Sequence, residues 1–305
     1  MDGSPTPVGA VSSSRLLLVD GHAYAYRAFH AIRSLSSPSG APTNAIYGFI
    51  KMLGKMQAQL SPSHQAVVWD GGLAAERLAD WPAYKEDRPP MPADLDRQIP
   101  GVVAWLQAMR CPSRVQDGIE ADDWIASLAR RAAACGVAVV IASSDKDFLQ
   151  LVGTEIGLLN PNDKTEKIWT AADVRAKTAV GPEQIVDWLS LVGDAVDNIP
   201  GVPGVGSKTA ADLLQEFGSV DALYGRLGDV KSEGLRTRLA EAEAAVRRNQ
   251  RLIRLDDAVG ADEPLEAMRV QPPDLERLRG LYAEWGFKSL LASLSFGAAQ
   301  QGSLW

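Results

Sequence analysis

The feature that most constrains the fold is an apolar run, Val137–Ala142, that stops abruptly and is followed by Asp145 and Asp147. A short run of β-branched and small apolar residues without alternating polar positions predicts a strand that is buried on both faces, as in a parallel sheet. Open parallel sheets bind their ligands at the carboxyl ends of the strands. The run therefore predicts an α/β fold with a site at the end of this strand.

Two further predicted strands also end in an acidic residue. Arg15–Asp20 and Gln65–Asp70 are short apolar runs, and each closes on an aspartate followed by glycine. Helical stretches separate the strands, and this β–α–β rhythm predicts a mainly parallel central sheet flanked by helices. Because neighbouring parallel strands end at one edge of the sheet, we expect the acids of these strands to crowd together there.

Five more acids stand at turns or helix starts, and they are Glu120, Asp122, Asp123, Asp194 and Asp197. Taken alone, each has an ordinary explanation. First-turn acids complement a helix dipole, an aspartate before glycine is a common turn residue, and two acids three apart fit a solvated helix face. Their coincidence with the acidic strand ends favours a shared site instead.

A cluster of nine carboxylates needs cations. Carboxylates that lie close together raise one another's pKa unless positive charge neutralises them. Ligands that are all oxygen favour Mg²⁺ or Mn²⁺ over zinc, and the three scattered histidines argue against a histidine-built zinc site. The pattern predicts two or more divalent ions.

Residues 72–113 form a polar, proline-rich segment that interrupts the alternation of strands and helices. A helix is predicted over Leu95–Met109, with a break at Pro100. The early part of this segment contains Tyr84, Lys85 and Arg88. The spacing of the two basic residues would allow one helical face to hold both over a phosphate. In isolation such a pair would be an ordinary solvated one.

The glycine-rich stretch Gly201–Ala210 leads into a predicted helix in the second, mainly helical half of the chain. It offers backbone N–H groups and a helix N-terminus to an anion, which we interpret as a DNA phosphate. Ser207 intervenes before Lys208 and no strand precedes the stretch, so it is not a Walker loop, and a sequence-independent duplex clamp is favoured. The predicted DNA contacts are Gly204, Gly206, Ser207, Lys208 and Thr209.

The bulk composition bounds the class of protein. The net charge of −7 usually counts against nucleic-acid binding, but metal-bound carboxylates are neutralised and basic residues can form a local patch. Two cysteines are too few for a disulfide framework and indicate a reducing cytoplasm. No apolar run approaches a membrane span, and residues 1–14 fit a flexible tail and not a signal peptide.

In combination, the motifs resemble the 5′-nuclease superfamily, and most closely the bacterial 5′→3′ exonuclease, or flap endonuclease, family, found at the N-terminus of DNA polymerase I and as stand-alone proteins. The motifs that carry the resemblance are LLLVDGHAYAYRAFHA, GAPTNAIYGF, YKEDRP, GIEADD, SSDKDFLQLV and GDAVDNIPGVPGVGSKTA. It implies an α/β, PIN-like nuclease core over residues 15–180 with a helical arch at 72–113. A helical DNA-binding region at 181–297 would hold a helix–two-turn–helix motif, and residues 298–305 would be a tail.

The resemblance also implies residue roles. The first metal would be held by Asp20, Asp70, Glu120 and Asp122, with Asp123 adjoining, and the second by Asp145, Asp147, Asp194 and Asp197. Lys85 and Arg88 would act on the scissile phosphate, Tyr84 would stack on an unpaired base, and Arg27 would contact the substrate. A K⁺ ion would lie at the helix–two-turn–helix, held by Val202, Val205 and Ser207.

The implied activity is two-metal hydrolysis of 5′-flap or nicked duplex DNA, by exonuclease and endonuclease cleavage, in replication and repair. The enzyme would be a monomer of the bacterial cytoplasm, associated with the nucleoid, and RNA–DNA hybrid primers are a further expected substrate. Whether the chain is a stand-alone protein or part of a polymerase I stays open. Two alternatives also stay open: a DNA-binding protein without catalysis, and a PIN-like ribonuclease.

The last five residues carry a separate hypothesis. Gln301-Gly302-Ser303-Leu304-Trp305 resembles the short peptides that dock into bacterial sliding clamps. Gln301 would make polar contacts, while Leu304 and Trp305 would fill an apolar pocket. The alternative is a frayed tail.

Overall fold

The computed structural model of the protein describes residues 14–259 and 263–301, with side chains to residue 294. Its main sheet has six strands, β1 Arg15–Asp20, β2 His64–Val68, β3 Ser113–Arg114, β4 Ala138–Ala142, β5 Ile156–Leu159 and β6 Ile168–Trp169. Their order is β3-β2-β1-β4-β5-β6, and only the β5–β6 pair is antiparallel. The predicted mainly parallel sheet is confirmed, with β1 and β4 paired at its centre.

Helices cover both faces of this sheet. In the first part of the chain they are α1 Gly21–Ala31, α2 Asn44–Leu60, α3 Ala75–Asp80, α4 Ala93–Asp96, α5 Ile99–Ala108, α6 Ala121–Ala134 and α7 Ala171–Thr178. Alternate residues of β1 enter two separate cores, because successive side chains of a strand point to opposite faces. Leu16 and Leu18 pack in the core that contains α6, and Leu17 and Val19 pack in the core that contains α1 and α2.

The second part of the chain is mainly helical, as predicted. It contains α8 Ile185–Val192, the short antiparallel pair β7 Gly193–Asp194 and β8 Ile199–Pro200, and then α9 Ser207–Phe217, α10 Val220–Gly225, α11 Glu233–Ile253, α12 Leu275–Glu284 and α13 Lys288–Gln301. Buried residues of α8 to α11 extend the core on the α6 face, whereas Leu278 of α12 packs on the α1–α2 face. In the described part of the chain, none of the helices combines the length and apolar character needed to cross a membrane.

Three local predictions differ from the structure. The predicted break at Pro100 lies instead at Arg97 and Gln98, between α4 and α5. Pro100 occupies the first turn of α5, where its missing N–H costs no helical hydrogen bond. Helix α7 was not predicted, and α13 continues to Gln301, past the predicted start of the tail at residue 298.

Candidate active site

A cavity of about 1040 Å³ opens at the carboxyl edge of the parallel strands. It is lined by six of the nine acids predicted from the sequence, namely Asp20, Asp70, Asp122, Asp145, Asp194 and Asp197. Glu120 and Asp147 are buried beneath this lining and bond to residues that form it. The expected convergence of strand-end acids therefore occurs, and five separate segments of the chain contribute to it.

Asp20 at the end of β1 and Asp70 just beyond β2 accept hydrogen bonds from backbone N–H groups in the first turns of α1 and α6. Asp20 caps α1, with Oδ1 accepting from Ala23 N–H at 3.0 Å, and its Oδ2 accepts from the Ser143 hydroxyl at 2.8 Å. Asp70 Oδ1 accepts from Ala121 N–H, at the start of α6, at 2.9 Å. Burial raises the pKa of Asp20 to about 6, although its hydrogen bonds from Ala23 and Ser143 act to lower it.

The end of β4 forms a turn that carries both of its aspartates. Asp145 N–H donates to the Ser143 hydroxyl at 3.1 Å, and Asp145 Oδ1 accepts from Asp147 N–H at 2.8 Å. Burial, and then the neighbouring carboxylates, raise the pKa of Asp147 well above its ordinary value. Its Oδ1 atom is buried with no hydrogen-bond partner in the described part of the chain.

Asp194 and Asp197 do not lie on a solvated helix face. Asp194 belongs to β7 and accepts from Val196 N–H at 3.0 Å, and Asp197 lies in the turn that leads to β8. Both are buried, because this turn packs against the segment that contains Lys85, whose N–H donates to the Asp197 carbonyl at 3.0 Å.

Basic side chains face the acids across the cavity. Lys85 is 6% exposed and pairs with Glu120, Arg88 Nη2 lies 2.6 Å from Asp197 Oδ1, and Lys146 Nζ lies 3.0 Å from Asp194 Oδ1. The prediction that Lys85 and Arg88 share a helical face is wrong. Residues 82–87 form consecutive turns, and Lys85 has a positive φ of 56°.

Tyr84 and Arg27 were predicted to contact the substrate. Arg27 lines the cavity, where its Nη1 donates to Asn162 Oδ1 at 2.7 Å. Tyr84 is only 3% exposed, its hydroxyl donates to Glu120 Oε2 at 3.1 Å, and the Lys85 ammonium lies over its ring. The structure therefore contradicts a stacking role for Tyr84 in this conformation, since the ring offers no open face to a base.

Asp123 is the predicted metal ligand that the structure places elsewhere. It does not line the cavity, and its two oxygens accept from Arg77 Nη1 and Nη2, each at 2.7 Å. Asp256 N–H also donates to Oδ1 at 2.9 Å. These partners occupy both oxygens, which contradicts the assignment of Asp123 to a metal.

Sequence reasoning missed several residues of the site. Arg77, His22 and Asn162 carry no local signal, because their partners are distant in the chain. Lys146 could have been found, since it stands between Asp145 and Asp147 in the sequence.

The donor set fits hard divalent cations. All the clustered donors are carboxylate oxygens, burial and mutual repulsion raise the pKa of Asp122 and Asp145, and one Asp147 oxygen is unpaired. Among the described residues, no three or more His, Cys, Asp or Glu side chains lie close enough together to coordinate one metal ion. Three of the carboxylates form ion pairs with basic side chains instead, Glu120 with Lys85, Asp197 with Arg88 and Asp194 with Lys146.

The predicted clamp, Gly201–Ala210, comprises the turn that precedes α9 and the first turn of that helix. Val202 N–H donates to Leu191 O at 2.8 Å and Val205 N–H donates to Val202 O at 3.0 Å, while Gly204 supplies the positive φ of 73° that this turn requires. Helix α9 begins at Ser207 without a capping side chain. The N–H groups of its exposed first turn, which contains Lys208, are therefore open to an anion.

The remaining predicted residues lie at the end of the chain. Gln301 is the last residue of α13, and Leu304 and Trp305 lie outside the described residues.

The chain is similar to known nucleases over nearly its whole length. Residues 15–179 match the family described as 5′-3′ exonuclease, N-terminal resolvase-like domain, and residues 180–276 match 5′-3′ exonuclease, C-terminal SAM fold. A 5′-3′ exonuclease of Aquifex aeolicus is 36% identical over 291 residues, which cover 95% of this chain and 99% of the relative. DNA polymerase I of Pseudomonas aeruginosa is 39% identical over 299 residues, 96% of this chain, but this chain spans only 32% of that relative.

Solved structures share the fold. A complex of the bacteriophage T5 D15 flap endonuclease with DNA and metal ions has a TM-score of 0.68 at 20% identity, covering 92% of this chain and 97% of that one. The catalytic core of Rad2 with a DNA substrate has a TM-score of 0.62 at 18% identity, covering 95% of each chain. With an acidic cavity at the carboxyl edge of its sheet and both family domains matched in order, this chain belongs to the 5′-3′ exonuclease family.

Proposed function

We propose that this chain is a structure-specific 5′ nuclease that hydrolyses phosphodiester bonds of 5′-flap and nicked duplex DNA in replication and repair. The observation that carries the proposal is the cavity in which six carboxylates face Lys85, Arg88 and Lys146. A site of this composition suits a phosphate ester that must be held beside divalent cations. Cleavage of both exonuclease and endonuclease type is expected, leaving a 5′-phosphate and a 3′-hydroxyl.

Eight acids are proposed to hold two or more Mg²⁺ or Mn²⁺ ions, and they are Asp20, Asp70, Glu120, Asp122, Asp145, Asp147, Asp194 and Asp197. The chemistry supplied by the bound ions is Lewis acidity toward the scissile phosphate and its attacking water. The protein's own part is to present deprotonated oxygens from five segments and to keep their positions through backbone hydrogen bonds.

Lys85 and Arg88 are proposed to stabilise negative charge on the reacting phosphate. Both already face the cavity, where carboxylates hold them until a substrate phosphate arrives. Positive groups that are in place before the reaction stabilise the transition state without the cost of reorganising water. Arg27, held by Asn162 at the rim, would contact the strand that enters.

Binding to the duplex is proposed to involve the turn between α8 and α9. Gly204, Gly206, Ser207, Lys208 and Thr209 would contact a backbone phosphate, and the carbonyl groups of Val202 and Val205 with the Ser207 hydroxyl would hold a K⁺ ion. Contacts of this kind select DNA by shape and not by sequence. RNA–DNA hybrid primers are a proposed further substrate for the same reason, and the bacterial cytoplasm, with its nucleoid, is the proposed location of a monomeric enzyme.

A cleavage assay tests the proposal directly. Duplexes with a 5′ flap, a nick or a pseudo-Y end are incubated with the protein in Mg²⁺, with EDTA as the negative control. We expect Mg²⁺-dependent release of product from the branched substrates. Tight binding without cleavage would favour a DNA-binding protein that lacks catalysis, and faster cleavage of single-stranded RNA would favour a PIN-like ribonuclease.

Docking to a bacterial sliding clamp is a second proposal, carried by the sequence of Gln301, Leu304 and Trp305 alone. The test compares retention of the protein on the immobilised clamp before and after removal of the last five residues. Loss of retention on removal supports docking, and equal retention would rule it out.

A further inference from the structure

Arg77 is a buried arginine of α3 with no role in the proposed chemistry. Its guanidinium forms a two-pronged ion pair with Asp123, with Nη1 and Nη2 each 2.7 Å from a carboxylate oxygen. Nη1 also lies 3.1 Å from Glu120 Oε1. The planar fork fixes the orientation of Asp123, and its Nη1 places a positive charge against Glu120.

The remaining donors of Arg77 reach a distant part of the chain. Nε donates to Leu252 O at 3.0 Å, and Nη2 donates to Arg254 O at 3.2 Å. These carbonyls belong to the last turn of α11 and the residue that follows it, where helical carbonyl groups lack helical partners. Nε, Nη1 and Nη2 of the guanidinium thus all donate hydrogen bonds, and Glu120 adds an ion pair at Nη1. A lysine ammonium, whose donors all sit on one nitrogen, could not reproduce these contacts.

Glu120 is held from two sides. Its Oε1 accepts from Ala74 N–H at 3.2 Å and faces Arg77, while its Oε2 faces Lys85 and the Tyr84 hydroxyl. Glu120 is 1% exposed, so a loss of all positive partners would leave an uncompensated buried charge. Because Arg77 pairs with the other oxygen, Lys85 can turn to a substrate phosphate while Glu120 stays neutralised.

The segment after α11 also bonds to the turn that carries Asp147. Gln150 Nε2 donates to Asp147 O at 2.9 Å and to Ile253 O at 3.1 Å, and Gln150 Oε1 accepts from Leu255 N–H at 3.1 Å. Residues 252–256 therefore contact both sides of the acidic cluster, through Arg77 on one side and Gln150 on the other.

We propose that Arg77 is a positioning residue, which fixes Glu120 for metal binding and ties its position to residues 252–256. The inference rests on the proposed nuclease function. Arg77 stays paired with one oxygen of Glu120, whereas Lys85 leaves the other oxygen when a substrate phosphate binds. The orientation of Glu120 then depends on the docking of the helical region that also carries the duplex clamp.

The first test measures Mn²⁺ binding to the DNA-free protein by calorimetry, for the wild type and for Arg77→Lys. Substitutions behind a metal ligand typically weaken metal binding by about 10- to 100-fold, and we expect a loss in that range. Arg114→Lys is the matched control. Arg114 also forms an ion pair through its fork, with Glu263, but it has no contact with Glu120.

The second measurement separates positioning from stability. Single-turnover cleavage of a 5′-flap duplex is followed against Mg²⁺ concentration, beside thermal unfolding in EDTA. We expect Arg77→Lys to need more Mg²⁺ for its half-maximal rate and to recover toward the wild-type rate at high Mg²⁺. A lower unfolding temperature with unchanged Mn²⁺ affinity and unchanged Mg²⁺ requirement would overturn the proposal.

Asp123→Asn keeps the test decisive if Arg77→Lys does not fold. Asparagine keeps the shape of the side chain but replaces one of the two oxygens that accept from Arg77 and removes the negative charge. Arg77 should then draw Glu120 toward itself, and Mn²⁺ binding should again weaken. Unchanged binding in this variant would also overturn the proposal. If the wild-type protein does not cleave DNA in Mg²⁺, the nuclease function is refuted. If the wild type cleaves but both variants bind Mn²⁺ normally, only the role of Arg77 is refuted.

Discussion

Lys85 pairs with Glu120 beneath the acidic cavity, and its ammonium nitrogen lies 3.9 Å from Asp197. These carboxylates come from the start of α6 and from the β7–β8 turn, so one lysine joins the sheet core to the helical region. Burial acts to lower the pKa of Lys85, but the nearby carboxylates together outweigh it and raise the pKa above its ordinary value. The ammonium therefore stays charged. The charge that joins these two parts of the fold is therefore available to a phosphate.

Lys85→Ala should slow cleavage at saturating Mg²⁺ by about 100-fold or more, since a cation beside the reacting phosphate is lost. Mn²⁺ affinity should not fall, because Glu120 loses a competing cation. Single-turnover kinetics and calorimetry measure the two effects. Lys55→Ala is the control, because Lys55 is an exposed lysine paired with Glu166. A rate change in Lys85→Ala no larger than in the control would remove Lys85 from the mechanism.

Asp145→Asn should abolish cleavage and leave flap binding in EDTA largely intact. The asparagine oxygen can still accept from Asp147 N–H, so the turn is kept while the charge that holds a metal is removed. Asp163→Asn is the matched control, because Asp163 Oδ1 accepts from Thr165 N–H in the same way outside the acidic cluster. Substantial Mg²⁺-dependent cleavage by Asp145→Asn would show that Asp145 is not a ligand.

Asp122→Asn should raise the unfolding temperature in EDTA near neutral pH. Burial raises the pKa of Asp122, and so does repulsion from Asp145 and Asp20, so the charged form is destabilised in the folded protein. Mg²⁺ should stabilise the wild type by binding to the folded state, and should stabilise the variant less. Scanning calorimetry with and without Mg²⁺ checks both effects, and a lower unfolding temperature in EDTA would contradict the role of repulsion.

Lys208→Ala should weaken binding to duplex DNA without changing preference among sequences. The loss of one phosphate contact should reduce the slope of log affinity against log salt concentration by about one. Titrations at several salt concentrations measure this slope. Lys51→Ala is the control, since Lys51 is also exposed but lies on α2, which packs in the core on the other face of the sheet from α8 and α9. Equal slopes in the two variants would place the phosphate contact elsewhere.

Thiol reactivity tests the packing around β3. Burial raises the pKa of Cys111 to about 12, so this thiol stays protonated and unreactive near pH 8, whereas Cys135 is exposed. One thiol per chain should react quickly with a disulfide reagent in the native protein, and both should react in denaturant. Fast reaction of both native thiols would show that Cys111 is accessible.

The strand ends were predictable because their signals are local. Short apolar runs identify β1, β2 and β4, and parallel strands bring Asp20, Asp70 and Asp145 to one edge whatever the details of packing. The glycine-rich turn before α9 was recognisable for the same reason, since Gly204 must adopt a positive φ. Helix α7 escaped prediction because its side chains show almost no amphipathic pattern.

The amino-acid sequence alone determined the sheet, the acidic edge and the resemblance to 5′ nucleases. Only the tertiary structure decided which acids face the cavity and which basic side chains oppose them. Asp123 turns to Arg77, and Lys85 reaches Glu120 and Asp197, through contacts between segments that are far apart in the chain. Such pairings depend on how α3, α6 and the β7–β8 turn pack together, because a side chain's partner is set by geometry that no local spacing encodes.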